Sequence, residues 1–252
     1  MRAEHCLAAP PRLSFRTHEL PEGALEELAL IDLLAGREDV SSWVHEGRGL
    51  IGLGRTLMIE AHGAERIEAL RAAWRAVVGV AWWRDALVRP GTGPVALGAI
   101  TFSPSSEQSS VLVVPEVLVG LDDSGAWLTT VVPGPDDGSE PEHPDPGMLL
   151  TALVADARAA VDREPADDDG DSGDSGGTTT VEAGALSEEQ WCRAVCATQE
   201  RMRAGQARKV VLARDVLAYP GGPLATGTVL RRLASDYPST WVFAVDQMVG
   251  AS

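Results

Sequence analysis

The amino-acid sequence predicts an α+β protein. Two observations predict it. Runs of β-branched and apolar residues, punctuated by glycine, proline and aspartate turns, dominate the first 163 residues. Apolar residues at three- and four-residue spacings mark helices, once within that half and again from Ser187 onward. A chain of 252 residues with 44% apolar content can build a sizeable core, as one large domain or two small ones.

In chain order, Gly47-Arg48-Gly49-Leu50-Ile51-Gly52-Leu53-Gly54 reads as a glycine-punctuated strand. Gly47, Gly49 and Gly52 spell G-x-G-x-x-G. The residues that follow keep a strand rhythm rather than opening a helix, so a dinucleotide site is not expected. A helix is expected from Gly63 to Val78, with Ile67, Leu70, Trp74 and Val77 on one face. Strands are expected over Pro94–Phe102, over Val111–Val119, and over Trp127–Val132 after an Asp122-Asp123-Ser124-Gly125 turn. The tryptophans of this half are expected in the core. None of the five histidines has a metal-ligand spacing to a second His or Cys, so they are assigned to surface or core roles.

Residues 164–185 break this pattern. The run from Glu164 to Gly177 is acidic, small and free of aromatics, and such a segment cannot bury apolar surface. It reads as an acidic Gly/Ser linker between an N-terminal strand-rich region (1–163) and a second region (186–252). A calcium loop fails on spacing. With Asp167, Asp169 and Asp171 as the first ligands, Ser172 and Thr178 stand where Gly and Glu are required.

Beyond the linker, Ser187 and Gln190 form a capping box. Trp191, Val195, Thr198 and Met202 follow at helical intervals, and Gly205 sits where a helix would end. Cys192 and Cys196 are four apart on that helix; two thiols alone make a weak metal site, and they read as small packing residues. Lys209 to Leu217 is an expected strand. A Gly221-Gly222 turn leads to a helix carrying Val229, Leu230 and Leu233, and Trp241–Val245 is a further strand.

Charge and composition exclude several classes. A formal net charge of −16 argues against nucleic-acid and anionic-membrane partners, because both need clustered cations. No stretch approaches the roughly 20 apolar residues of a membrane span. Met1-Arg2-Ala3-Glu4-His5-Cys6 lacks the layout of a secretion signal, and three cysteines suit a reducing compartment. A cytoplasmic location is expected.

One cation stands apart. Of the 21 basic residues, all but Lys209 are arginine. Arginine replaces lysine freely wherever any surface cation will do, but it cannot deprotonate in a protein, whereas a desolvated lysine can. Lys209 is therefore a candidate general base, with chance survival as an equal alternative.

The string Lys209-Val210-Val211-Leu212-Ala213-Arg214, preceded by a helix and Ala204-Gly205, is similar to a motif of the chorismate-utilising enzymes. Within that group it resembles isochorismate synthases. Gly250-Ala251-Ser252 resembles the start of the family's Gly-Ala-Ser-Pro-Glu motif. Trp43-Val44-His45-Glu46-Gly47, Pro90-Gly91-Thr92-Gly93-Pro94 and Ala126-Trp127-Leu128-Thr129 resemble the family's variable N-terminal region.

The resemblance implies antiparallel sheets flanked by helices, and conversion of chorismate to isochorismate. Lys209 would activate the water that attacks C2, and a glutamate would protonate the departing C4 hydroxyl. Mg2+, held by two later glutamates, would bind the substrate carboxylate. The resemblance places that acid and both metal ligands beyond Ser252, so Lys209 is the one catalytic residue carried over. No metal-binding or cofactor-binding residue is assigned, the fold is expected to be incomplete at its C-terminus, and the chain is expected to be inactive alone. Relatives that add ammonia usually lack the lysine. Salicylate synthases keep it but usually have Gly-Tyr-Ser, so Ala251 favours isochorismate as product. A salicylate synthase, another chorismate-utilising enzyme or a non-catalytic interaction module are the alternatives. The product could feed menaquinone or siderophore synthesis.

Overall fold

A computed structural model describes residues 9–25, 27–135, 139–163, 179–222, 224–246 and 248–252. The chain forms two compact units, Met1–Ala166 with Ala225–Ser252, and Asp167–Leu224. This division differs from the one composition suggested: the last 28 residues fold with the strand-rich region rather than with the segment after the linker. The acidic run from Glu164 to Gly177 lies outside the described residues.

In the first unit the strands are β1 (Leu13–Glu19), β2 (Val40–His45), β3 (Arg48–Leu53), β4 (Leu57–Ala61), β5 (Trp82–Asp85), β6 (Leu97–Ala99), β7 (Ser110–Val114), β8 (Val117–Asp122) and β9 (Gly125–Pro133). Helix α1 (Arg66–Val80) precedes β5, and α2 (Pro146–Val161) follows β9. The second unit holds β10 (Thr180–Ala183), α3 (Glu188–Arg203) and β11 (Val216–Tyr219). The chain then returns to the first unit with α4 (Thr226–Asp236), β12 (Trp241–Val245) and β13 (Met248–Ala251).

The first unit is built on an eight-stranded sheet in the order β13-β12-β2-β3-β8-β9-β1-β5. Its pairings are antiparallel except β1 with β5, which run parallel. A smaller sheet, β4-β7-β6, is antiparallel throughout. This is the expected α+β architecture, antiparallel sheets flanked by helices. On one face, Val44, Ile51, Val119, Leu128 and Val242 pack against a 3-10 helix (Leu30–Leu34), α2 and α4. On the other, Phe15 and Val131 meet Leu70 and Val77 of α1. Leu118 and Val245 meet the small sheet at Leu97, Val111 and Val113. Burying such side chains stabilises by about 1.5–3 kcal/mol each.

Local chemistry explains where the elements start and stop. Glu46 and Gly47 both have positive φ (49° and 76°), as a two-residue hairpin between β2 and β3 requires. The glycines of the G-x-G-x-x-G string therefore serve a hairpin. Pro115 separates β7 from β8, where one strand was expected over 111–119. The strand expected over 94–102 shrinks to Leu97–Ala99, because the carbonyls of Thr101 and Phe102 are taken by another donor. Arg66 is 7% exposed and donates to Thr101 O, Phe102 O and Gly63 O at 2.7–3.0 Å.

The tryptophans were expected in the core. Trp127 is buried, but Trp43, Trp82 and Trp83 are exposed. Trp82 and Trp83 lie on an edge strand, and the Trp82 ring is capped only by the Arg16 and Arg84 guanidinium groups, 6.0 and 5.7 Å from its centre, among the described residues.

His143 fixes the segment before α2. Its ring lies 2.9 Å from the Ser14 hydroxyl and 2.7 Å from the Thr130 hydroxyl, both of them buried. Burial first, then the nearby Arg16 guanidinium and His18, push His143 down to about 4 from its ordinary 6.5. The folded protein thus keeps His143 neutral at pH values where the unfolded chain protonates it. Stability should fall as pH drops from 6.5 toward 4. Because the ring is partly exposed, the effect should be about 1–2 kcal/mol, below the full linkage value. The melting-temperature advantage of the native protein over His143→Gln should shrink by a few degrees between pH 7 and pH 4.5. A constant difference would refute the assignment.

Candidate functional site

Lys209 lies in the second unit, in an irregular stretch between α3 and β11. The capping box forms as the sequence implied: Ser187 Oγ accepts from Gln190 N at 3.2 Å, and Gln190 Oε1 accepts from Ser187 N at 2.9 Å. The helix ends at Gly205, whose φ of 76° suits glycine. From Gln206 to Asp215 no regular structure follows. Of the strand expected over Lys209–Leu217, only the end belongs to β11, which extends to Tyr219 and pairs with β10. Asp215 extends this antiparallel pair by accepting from Ala185 N at 3.0 Å.

Lys209 is exposed, and so are Val210, Val211 and Leu212. Among the described residues of this unit none is buried. Cys192 and Cys196 are exposed free thiols, not packing residues, because the half-buried side of α3 carries Trp191, Ala194, Val195 and Thr198 instead. A β-branched run such as Val210-Val211-Leu212 becomes a strand only against a partner, and the described residues offer it none.

The Gly250-Ala251-Ser252 motif belongs to the first unit, on edge strand β13 and its last ladder bonds. Trp241 N donates to Ser252 O at 2.8 Å, and Ser252 N to Trp241 O at 3.0 Å. Gly250 stands opposite Phe243. A Cβ at Gly250 would come 2.6 Å from Phe243 Cζ, so any larger residue there must displace the ring. Ala251 faces the main core instead.

On the Phe243 side the sheet carries an aromatic strip. Trp43 lies 5.2 Å from Trp241 and 5.9 Å from Phe243, ring centre to ring centre, and His45 stacks on Trp241 at 4.8 Å. Trp43 and Trp241 are almost half exposed. Sequence reasoning missed this strip, because β2 and β12 pair across some 200 residues. The one available signal was the alternation Trp241-Val242-Phe243-Ala244, which puts both aromatics on one face.

Among the described residues, no group of three or more His, Cys, Asp or Glu is placed to hold a metal ion. No described helix is long and apolar enough to cross a membrane.

Residues 30–252 match the family described as chorismate binding enzyme. The chain belongs to the chorismate-binding enzymes. It is also similar to isochorismate synthase MenF of Bacillus subtilis (strain 168), 25% identical over 222 residues. That match covers 81% of this chain and 44% of the relative, so the chain spans less than half the length of the curated protein it matches.

Proposed function

We propose that this chain carries the general base of an isochorismate synthase, and that the base is Lys209. The observation that carries the reading is the Lys209-Val210-Val211-Leu212-Ala213-Arg214 string, inside the matched span, with its lysine retained where every other cation is arginine. Similarity to an isochorismate synthase and Ala251 in place of tyrosine support isochorismate as the product. In this reaction Lys209 Nζ takes a proton from water as the oxygen bonds to C2 of chorismate. The ring double bonds shift and the C4–O bond breaks, so one water is gained and one lost. Hydroxide leaves only if an acid protonates it.

A lysine that acts as base needs burial or neighbouring positive charge, and Lys209 is exposed among the described residues. The reading therefore requires the apolar stretch beside it to be covered in the active protein. The resemblance also implies Mg2+, for which the described residues supply no cluster. The 252-residue chain alone should show no turnover.

The test is incubation with chorismate and Mg2+, with products separated by chromatography. It uses both the 252-residue chain and a polypeptide carrying it at the length of its relative. The longer protein should yield isochorismate. Salicylate as the end product would favour the alternative activity, and unconsumed chorismate would refute the enzymatic reading. Turnover by the 252-residue chain alone would refute the dependence on further residues.

A further inference from the structure

A second feature lies in the first unit and owes nothing to Lys209. Helix α1, strand β5 and the loop from Asp85 to Pro94 line an open cleft of about 520 Å3. Its walls are largely apolar, with Trp74, Trp83, Pro90 and Pro94 prominent, and Arg89 is the one cation among them. Small-molecule sites are commonly of this size, with apolar walls and a few polar groups.

The loop is held rigidly. Asp85 accepts from Leu87 N at 3.0 Å, Val88 N at 3.2 Å and the Thr92 hydroxyl at 2.6 Å. Gly93 N donates to Thr17 Oγ1 at 3.1 Å, and Trp127 Nε1 to Gly91 O at 3.0 Å. This bonding holds Val88 at φ 48°, a conformation a β-branched residue rarely adopts.

Arg89 is the informative residue. Its guanidinium lies over the Trp127 ring at 5.0 Å, which fixes its plane, and Nη1 reaches Asp122 Oδ1 at 3.4 Å. Nε and Nη2 are buried, and neither has a partner among the described residues. Buried donors left unmet are costly, and native structures keep few of them. These two N–H groups form one edge of the guanidinium, and that edge is the fork that grips both oxygens of a carboxylate.

We propose that this pocket binds a small, flat monocarboxylate, with its carboxylate on the Nε–Nη2 edge of Arg89 and its apolar ring against Trp83 and Trp74. Asp85 spends both oxygens on the loop, so nothing selects an accompanying ammonium group. Asp85 and Asp122 beside the single arginine disfavour a second negative charge on the ligand. Nε and Nη2 are closed to solvent, so the ligand reaches them through a side-chain shift. Trp83 and Val88, both substantially exposed, share the pocket wall with Arg89.

Benzoate is the probe. The indole N–H resonances of Trp74 and Trp83, assigned by Trp→Phe replacement, are followed as it is added to the 252-residue chain. Both should shift saturably, with a dissociation constant on the order of 1 mM for so small a ligand. Benzamide, equal in shape but uncharged, should bind at least about tenfold more weakly, the usual worth of a charge-assisted pair. Arg89→Lys keeps a positive charge and lacks the fork, and should lose about as much. General attraction cannot mimic this result, because a net charge of −16 repels anions. Should Arg89→Lys fail to fold, Trp83→Ala, at an exposed edge-strand position, should weaken binding without disturbing the core. Absence of saturable shifts, equal binding of benzamide, or unchanged affinity in the folded Arg89→Lys or Trp83→Ala protein would overturn the proposal.

Discussion

Lys209→Ala is expected to lower kcat for isochorismate formation by about 10²–10⁴-fold in a polypeptide that turns over chorismate, with KM little changed. A general base acts on the water, so its loss appears in the chemical step. Lys209→Arg should be nearly as damaging. Guanidinium keeps the positive charge but cannot accept the proton. If Lys209 served only to attract a substrate carboxylate, arginine would restore much of the activity. Near-native kcat in the arginine variant would therefore refute the base. Lys209 is exposed and forms no hydrogen bond or ion pair with another described residue, so stability of the 252-residue chain should move by less than about 0.5 kcal/mol in either variant. Unchanged melting would separate lost chemistry from lost folding.

Residues whose roles are set by near neighbours were readable in the sequence. Ser187 with Gln190 starts α3, and Trp241–Val245 is a strand with the expected limits, whereas the turn at Glu46-Gly47 was missed because Gly47 reads as part of the strand that follows it. Helix α2 was missed although its start is marked by Asp145, which accepts from Met148 N at 2.8 Å, followed by Pro146 in the first turn. Its buried Leu150, Leu153, Val154 and Ala157 keep helical spacing, but a proline-rich lead-in disguises them. What depends on distant pairing was not readable. Val210 and Val211 have strong strand propensity and no described partner. Trp82 and Trp83 look like core residues until β5 proves to be an edge. The carbonyls of Thr101 and Phe102 leave the ladder for Arg66, 35 and 36 residues away. The pocket at Arg89 was equally hidden. Pro90-Gly91-Thr92-Gly93-Pro94 announces a turn, but nothing in it says that Trp127 lies under the arginine.

Gly227→Ala should lower the melting temperature by roughly 2–12 °C, although alanine is the better helix former. Glycine in a helix costs about 1 kcal/mol relative to alanine, so propensity alone predicts stabilisation. Packing decides otherwise. Gly227 lies in the first turn of α4, and its N–H donates to Arg37 O at 2.9 Å. A Cβ there would collide with the carbonyl oxygen of Leu34, and would lie 3.2 Å from Leu34 Cβ. A backbone carbonyl cannot rotate aside as a side chain can, so α4 must lift from the 3-10 helix. Lifting it loosens Leu230, which is fully buried, and the 2.8 Å contact between Arg231 Nε and Asp32 Oδ1. Overpacking of this kind costs typically 1–3 kcal/mol and occasionally more, and each kcal/mol moves the midpoint by about 2–4 °C at this size. Gly79→Ala is the matched control. It lies on an exposed face of α1, and no atom lies within 4 Å of the added methyl. It should raise stability by up to about 1 kcal/mol. The same substitution should thus change sign between two helices. Stabilisation by Gly227→Ala would show that α4 does not sit against Leu34. The placement of β12 and β13, and with them Gly250-Ala251-Ser252, would then need another anchor.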